Sequence, residues 1–153
     1  MSDQSRTNQL LYQAELLATS TTDDDEHATA RRMAQEEGAL ALFELALTSL
    51  LREVTEHARL SQHDWRYLLS DEGPAMAELQ RLRDLAHEPD SWLSWLVGQL
   101  DKLHSSDGAA KRRAANPSMI AVGEQASLGE QLAAQLNAAK REVAALRETS
   151  QEW

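Results

Sequence analysis

The chain has 153 residues, is 42% hydrophobic and carries a formal net charge of −10 at pH 7. A chain of that length buries roughly two-thirds of its unfolded surface in one core, so a single domain is expected. The negative charge argues against nucleic acid or an anionic membrane as the main partner. The absence of cysteine excludes a disulfide framework and a thiolate metal site.

The polar start, MSDQSRTNQ, lacks the apolar centre of a secretory signal. No later run approaches the ~18 uninterrupted apolar residues of a membrane span. A cytoplasmic setting without membrane contact is therefore expected.

The spacing predicts a first amphipathic helix over residues 5–18. Leu10, Leu11, Ala14, Leu17 and Ala18 lie on its inner face, and Thr7, Gln9, Gln13 and Glu15 lie largely outside. Small hydroxyl residues at 19–22 form a turn. Asp23, Asp24, Asp25 and Glu26 then suit the positive end of a second helix. That helix is expected to run through Arg31, Arg32 and Met33 into the densest apolar stretch, 39–60, with a bend near Gly38. There Leu40, Phe43, Leu47, Leu50 or Leu51, Val54 and Ala58 recur at spacings of three and four, and Leu42, Leu45 and Ala46 widen the apolar arc. A helix so apolar needs several partners, which makes it the centre of a bundle.

Ser61-Gln62-His63-Asp64 offers capping groups before a short helical segment with Trp65, Tyr67, Leu68 and Leu69. Asp71-Glu72-Gly73-Pro74 is a turn, and Pro74 suits the first position of a helix carrying Met76, Leu79, Leu82, Leu85 and Ala86, which Pro89 ends. Asp90 or Ser91 caps a further helix with Trp92, Leu93, Trp95, Leu96, Leu100 and Leu103 on its apolar face. Residues 105–126 hold Ser, Asp, Gly and Ala, the Lys111-Arg112-Arg113 triplet and Asn116-Pro117, a composition that suits a flexible linker. Ser127 and Glu130 make a capping box for a last helix, whose Leu132, Leu136, Ala139, Val143 and Leu146 form a heptad-like seam.

The expected class is all-α, with four main helices plus a short one and a C-terminal helix after a flexible linker. Residues 1–104 would form the bundle core, 105–126 the linker and 127–150 the C-terminal helix, packed on the same bundle.

Three stretches carry a family resemblance: Arg6-Thr7-Asn8-Gln9 with Leu11-Tyr12, residues 37–51, and Leu85-Ala86-His87-Glu88-Pro89-Asp90-Ser91-Trp92-Leu93. In these the chain resembles an uncharacterised family of small helical gammaproteobacterial proteins, a domain of unknown function. The resemblance implies a helical fold and a bacterial cytoplasmic setting, and supplies no catalytic residues.

Several residue sets carry chemistry. Arg52 and His57 form R-x4-H, which resembles the ribonuclease motif of HEPN helical domains, where Arg and His face a shared cleft. Those domains place a polar Asn, Asp or His after the Arg, whereas Glu53 stands here. A solvated Arg and a His favoured by a helix C-terminus form the default. Asp84-x-x-His87 and Asp101-x-x-His104 each put a carboxylate and an imidazole on one helical face, and with Glu36 or Glu37 this is how bundle di-metal sites are built. Both His residues fall in a last helical turn, so helix-end His is the default there.

Trp65, Trp92 and Trp95 are expected in the core with their indole N–H groups satisfied. Arg6, Asn8 and Tyr12 are expected to form a buried hydrogen-bond network. The Lys111-Arg112-Arg113 triplet is expected to stay solvated or to pair with the acidic surface of the same chain. No Gly-rich phosphate loop, G-x-S-x-G elbow, H-E-x-x-H or dinucleotide fingerprint occurs, so no cofactor is expected.

The expected function is a non-catalytic protein-interaction or structural helical module with an unidentified protein partner. Its interaction residues would be Leu132, Leu136, Val143 and Leu146, through which a homodimer could also form. The alternative is a HEPN-like ribonuclease using Arg52 and His57.

Overall fold

A computed structural model describes residues 1–111 and 126–151. Among them are six α-helices, one 3-10 turn and no strand. The chain is all-α.

Helix α1 spans Asp3–Thr19 and starts at Ser2, whose hydroxyl accepts from the Ser5 amide at 3.1 Å. Leu10, Leu11 and Ala14 are buried as their spacing requires. Thr7, expected outside, is also buried. Its hydroxyl lies 2.7 Å from that of Ser49, and the two reach the Asp3 carbonyl at 2.9 and 3.1 Å. A buried hydroxyl is tolerable only with such partners, and here they come from the neighbouring helix and the preceding turn.

That neighbour is α2, Ala28–Val54, a helix of 27 residues. It starts just after the acidic run rather than within it, because Asp25 instead holds the entering turn, accepting from the His27 amide at 2.8 Å and pairing with Arg31 at 2.5 Å. The helix is unbroken at Gly38. The glycine serves close packing there, since a Cβ at Gly38 would lie 3.2 Å from Leu17 Cδ1. Ala39, Leu40, Phe43, Ala46, Leu47, Leu50 and Leu51 are all buried, and elements on several sides cover them. Leu45, 50% exposed, and Ala58, exposed in the turn after the helix, are not, and Leu42 and Val54 are half-buried.

A 3-10 turn, Glu56–Ala58, closes α2, and Arg59 then takes a left-handed φ of 49°. The short α3, Trp65–Leu68, is capped by Asp64, which accepts from the Arg66 amide at 3.1 Å. Helix α4 is Ala77–His87. Pro74 therefore does not open it. The Pro74 carbonyl accepts instead from Arg83 Nη2 at 2.7 Å, while Arg83 Nε donates to the Leu68 carbonyl at 2.9 Å. This buried guanidinium ties the α3–α4 connection to α4. It also explains Gly73, where a Cβ would run into Arg83 Nη2 and lie 2.9 Å from the Leu68 carbonyl.

Ser91 caps α5, Trp92–Leu103, accepting from the Ser94 amide at 3.0 Å. Trp92 stacks on Phe43 with ring centroids 6.1 Å apart. Trp65 Nε1 donates to Glu44 at 2.9 Å and Trp95 Nε1 to Gln131 at 3.0 Å. Contrary to expectation, the buried Trp92 N–H has no partner among the described residues, and the ring is held by its stack on Phe43.

The expected linker departs from its sequence reading at the start. Ala109 and Ala110 are buried, the Ala110 amide donates to Glu37 at 3.3 Å, and Arg32 Nη2 donates to the Lys111 carbonyl at 2.8 Å. Small alanines and two α2 side chains thus dock residues 109–111 on the bundle. The rest of the linker and the basic triplet, 112–125, lies outside the described residues.

Helix α6, Leu128–Gln151, follows Ser127, whose hydroxyl accepts from the Glu130 amide at 3.2 Å. It packs on α1, α2 and α5. Leu132, Leu136, Ala139, Val143 and Leu146 are all buried there. Ion pairs of Lys140 with Glu15, Arg147 with Glu53 and Arg81 with Glu142 fasten its flanks.

Candidate functional site

Two concavities open where helix ends meet. The larger, about 950 Å3, lies where the start of α1, the end of α2, the start of α4 and the end of α6 converge. Leu50, Val54, Met76 and Leu146 give it an apolar lining. Asp3, Glu53, Glu56 and Glu78 line it as well, against a single guanidinium, Arg147.

Glu53 is committed to Arg147, whose Nε and Nη2 donate to it at 3.1 and 3.3 Å. Arg147 also donates to Asn8 Oδ1 at 2.8 Å and to the Gln4 carbonyl at 3.2 Å, so one side chain joins α1, α2 and α6. By contrast, no side-chain bond or ion pair engages the carboxylates of Asp3, Glu56 or Glu78 among the described residues.

The second concavity, about 480 Å3, lies on the flank between the second half of α2, the approach to α3 and the end of α5. Glu44 is its fixed point. One carboxylate accepts from Trp65 Nε1 at 2.9 Å and pairs with His104 Nε2 at 2.9 Å, linking α2, α3 and α5. The Arg66 guanidinium sits 4.3 Å from the Trp65 ring centre, within the range of a cation–π contact. Arg52 lines the same concavity from α2.

The residue sets singled out in the sequence separate. Arg52 lines the flank concavity and His57 the end concavity, so the pair does not converge in a shared cleft. The helical register ends at Val54, and the 3-10 turn swings His57 off the α2 face. The metal alternative also disperses: Asp84 accepts from Gln80 at 2.9 Å, His87 Nδ1 meets the Arg83 carbonyl at 2.8 Å, His104 turns to Glu44, and Asp101 is exposed. Among the described residues no group of three His, Asp or Glu side chains is placed to hold a metal ion.

Arg6, Asn8 and Tyr12 do not form a buried network. Arg6 donates to Gln9 at 2.5 Å, Asn8 accepts from Arg147, and Tyr12 is 59% exposed. All three are exposed on α1, so no core surrounds them. The expected interaction residues Leu132, Leu136, Val143 and Leu146 are covered by the protein's own α1, α2 and α5. A seam at helical spacing needs covering, and the chain itself supplies the cover.

Sequence reasoning assigned no site role to Glu44, His63 and Arg66 on the flank or to Asp3, Glu56, Glu78 and Met76 at the end, His63 and Met76 being read only as a capping group and an apolar helix residue. The Trp65 indole was a usable signal, since a buried indole N–H usually finds an acceptor. Nothing in the spacing names that acceptor, which lies on another helix.

The described residues form a helical bundle held by caps, hydroxyl pairs and ion pairs, with open concavities at one end and on one flank. The chain belongs to the family of unknown function DUF6586, whose model matches residues 1–153. No curated protein and no solved structure matches it. No helix of the described residues is long and apolar enough to cross a membrane.

Proposed function

We propose that the protein is a non-catalytic interaction module whose end concavity receives a partner segment with an apolar side chain flanked by basic groups. The observation that carries this reading is the pairing of an apolar lining, Leu50, Val54, Met76 and Leu146, with the carboxylates of Asp3, Glu56 and Glu78, which have no side-chain partner among the described residues. Apolar surface supplies affinity when it is buried, and the carboxylates supply orientation and selection against acidic partners. The net charge of −10 favours encounter with a basic segment over the whole surface.

The test is capture by immobilised full-length protein from an extract of the source cells, comparing wild type with a Glu56→Lys/Glu78→Lys variant. Both substituted positions lie outside the core, so far-UV circular dichroism should be unchanged. A protein retained by wild type and lost from the variant is the expected result. Equal capture by both, or capture by neither, would refute the reading.

A further inference from the structure

We infer that the flank concavity is an oxyanion-binding site in which the guanidinium groups of Arg52 and Arg66 take a phosphate or carboxylate. This stands apart from the end concavity and does not rest on the function proposed for it.

Charge pairing is the first argument. The sequence has 25 acidic residues against 15 Lys and Arg, so an arginine has many carboxylates to choose from. Arg31, Arg32, Arg81 and Arg147 each take one. Among the described residues Arg6, Arg52, Arg59, Arg66, Arg83 and Arg141 take none, and of these Arg52 and Arg66 line the same concavity, together with Glu44 and Asp64. Those two carboxylates are already committed, Glu44 to Trp65 and His104, and Asp64 to the Arg66 amide. The concavity is therefore lined by two guanidinium groups with no carboxylate partner among the described residues, beside a Glu44 carboxylate engaged on both oxygens and an Asp64 carboxylate engaged through Oδ1.

Preorganisation is the second. Arg66 stands over the Trp65 ring at 4.3 Å, and the indole is pinned by its 2.9 Å bond to Glu44. The backbone under Arg66 is anchored by Leu68, and that under Arg52 by Leu51, both fully buried. Holding a long side chain in place before binding lowers the entropy cost of the contact. Further donors surround the same space: Thr48 and Ser61 hydroxyls, the Gln62 amide and the His63 ring. Guanidinium forks match the oxygen spacing of carboxylate and phosphate, and hydroxyl and amide donors complete such a shell. A volume of about 480 Å3 suits a small molecule rather than a bare ion.

The experiment titrates the full chain, in low-ionic-strength chloride buffer, with inorganic phosphate in one arm and citrate in the other. The Trp65 indole N–H and the arginine Nε–H signals are followed by 1H–15N NMR. Saturable shifts at Trp65 and Arg66 are expected at millimolar anion, weakened about tenfold by Arg52→Gln or by Arg66→Gln. Arg141→Gln, an exposed arginine on α6, should leave the binding unchanged. Tighter saturation by phosphate identifies a phosphorylated ligand, and tighter saturation by citrate a carboxylate one. Shifts that do not saturate, or that fall equally in all three variants, would reduce the site to general ion screening and overturn the inference. The melting temperature of each variant, expected to match wild type, separates loss of binding from loss of fold.

Discussion

Truncating Leu136 to alanine measures how far α6 belongs to the bundle. Leu136 is fully buried at the middle of α6, which packs on α1, α2 and α5. A Leu→Ala change in a packed core costs about 2–5 kcal/mol, from lost transfer energy and from the cavity left behind. Taking about 3 kcal/mol, and about 2–4 °C per kcal/mol for a chain of this size, the melting temperature should fall by about 6–12 °C. That is a large share of the ~5–15 kcal/mol available to a domain. Urea unfolding followed by circular dichroism and by tryptophan fluorescence should show one coincident transition, shifted to lower urea with little change in slope. Asn137→Ala, one residue away and exposed, should shift it by less than about 0.5 kcal/mol. A Leu136→Ala midpoint equal to wild type, together with a halved mass in light scattering, would refute the argument by making the seam an interface between chains.

Two further outcomes follow from single side chains. Arg83→Met should destabilise the fold by about 3 kcal/mol, because it removes two charge-assisted bonds and leaves the Leu68 and Pro74 carbonyls without their donor; a urea midpoint within error of wild type would contradict this. Asp25 should titrate below its ordinary value of 3.8, because the Arg31 hydrogen bond, and then that of the His27 amide, favours the carboxylate. With the folded value depressed, the stabilisation is present above the ordinary value and lost as pH falls through the lowered one. Carboxyl-carbon NMR should show Arg31→Ala moving Asp25 back up, and an unmoved titration would remove Arg31 as the cause.

The sequence by itself determined the helices and most of their ends. Apolar spacing of three and four is a local property, and so are caps such as Asp64, Ser91 and Ser127, each of which bonds an amide two or three residues ahead. The family membership was legible in the same way, from contiguous stretches such as Arg6-Thr7-Asn8-Gln9. Tertiary structure alone decided which polar groups were buried and which met. Thr7 reads as an outer residue until Ser49 lies opposite it, and Pro74 reads as a helix start until Arg83 claims its carbonyl. The sites were the least legible of all. Arg52 looked paired with His57, five residues on along one helix, but α2 ends between them, and α5 brings His104 to the flank beside Arg52 instead. A concavity is built from the ends of elements distant in sequence, and their meeting depends on how helices cross, which periodicity within one helix does not encode.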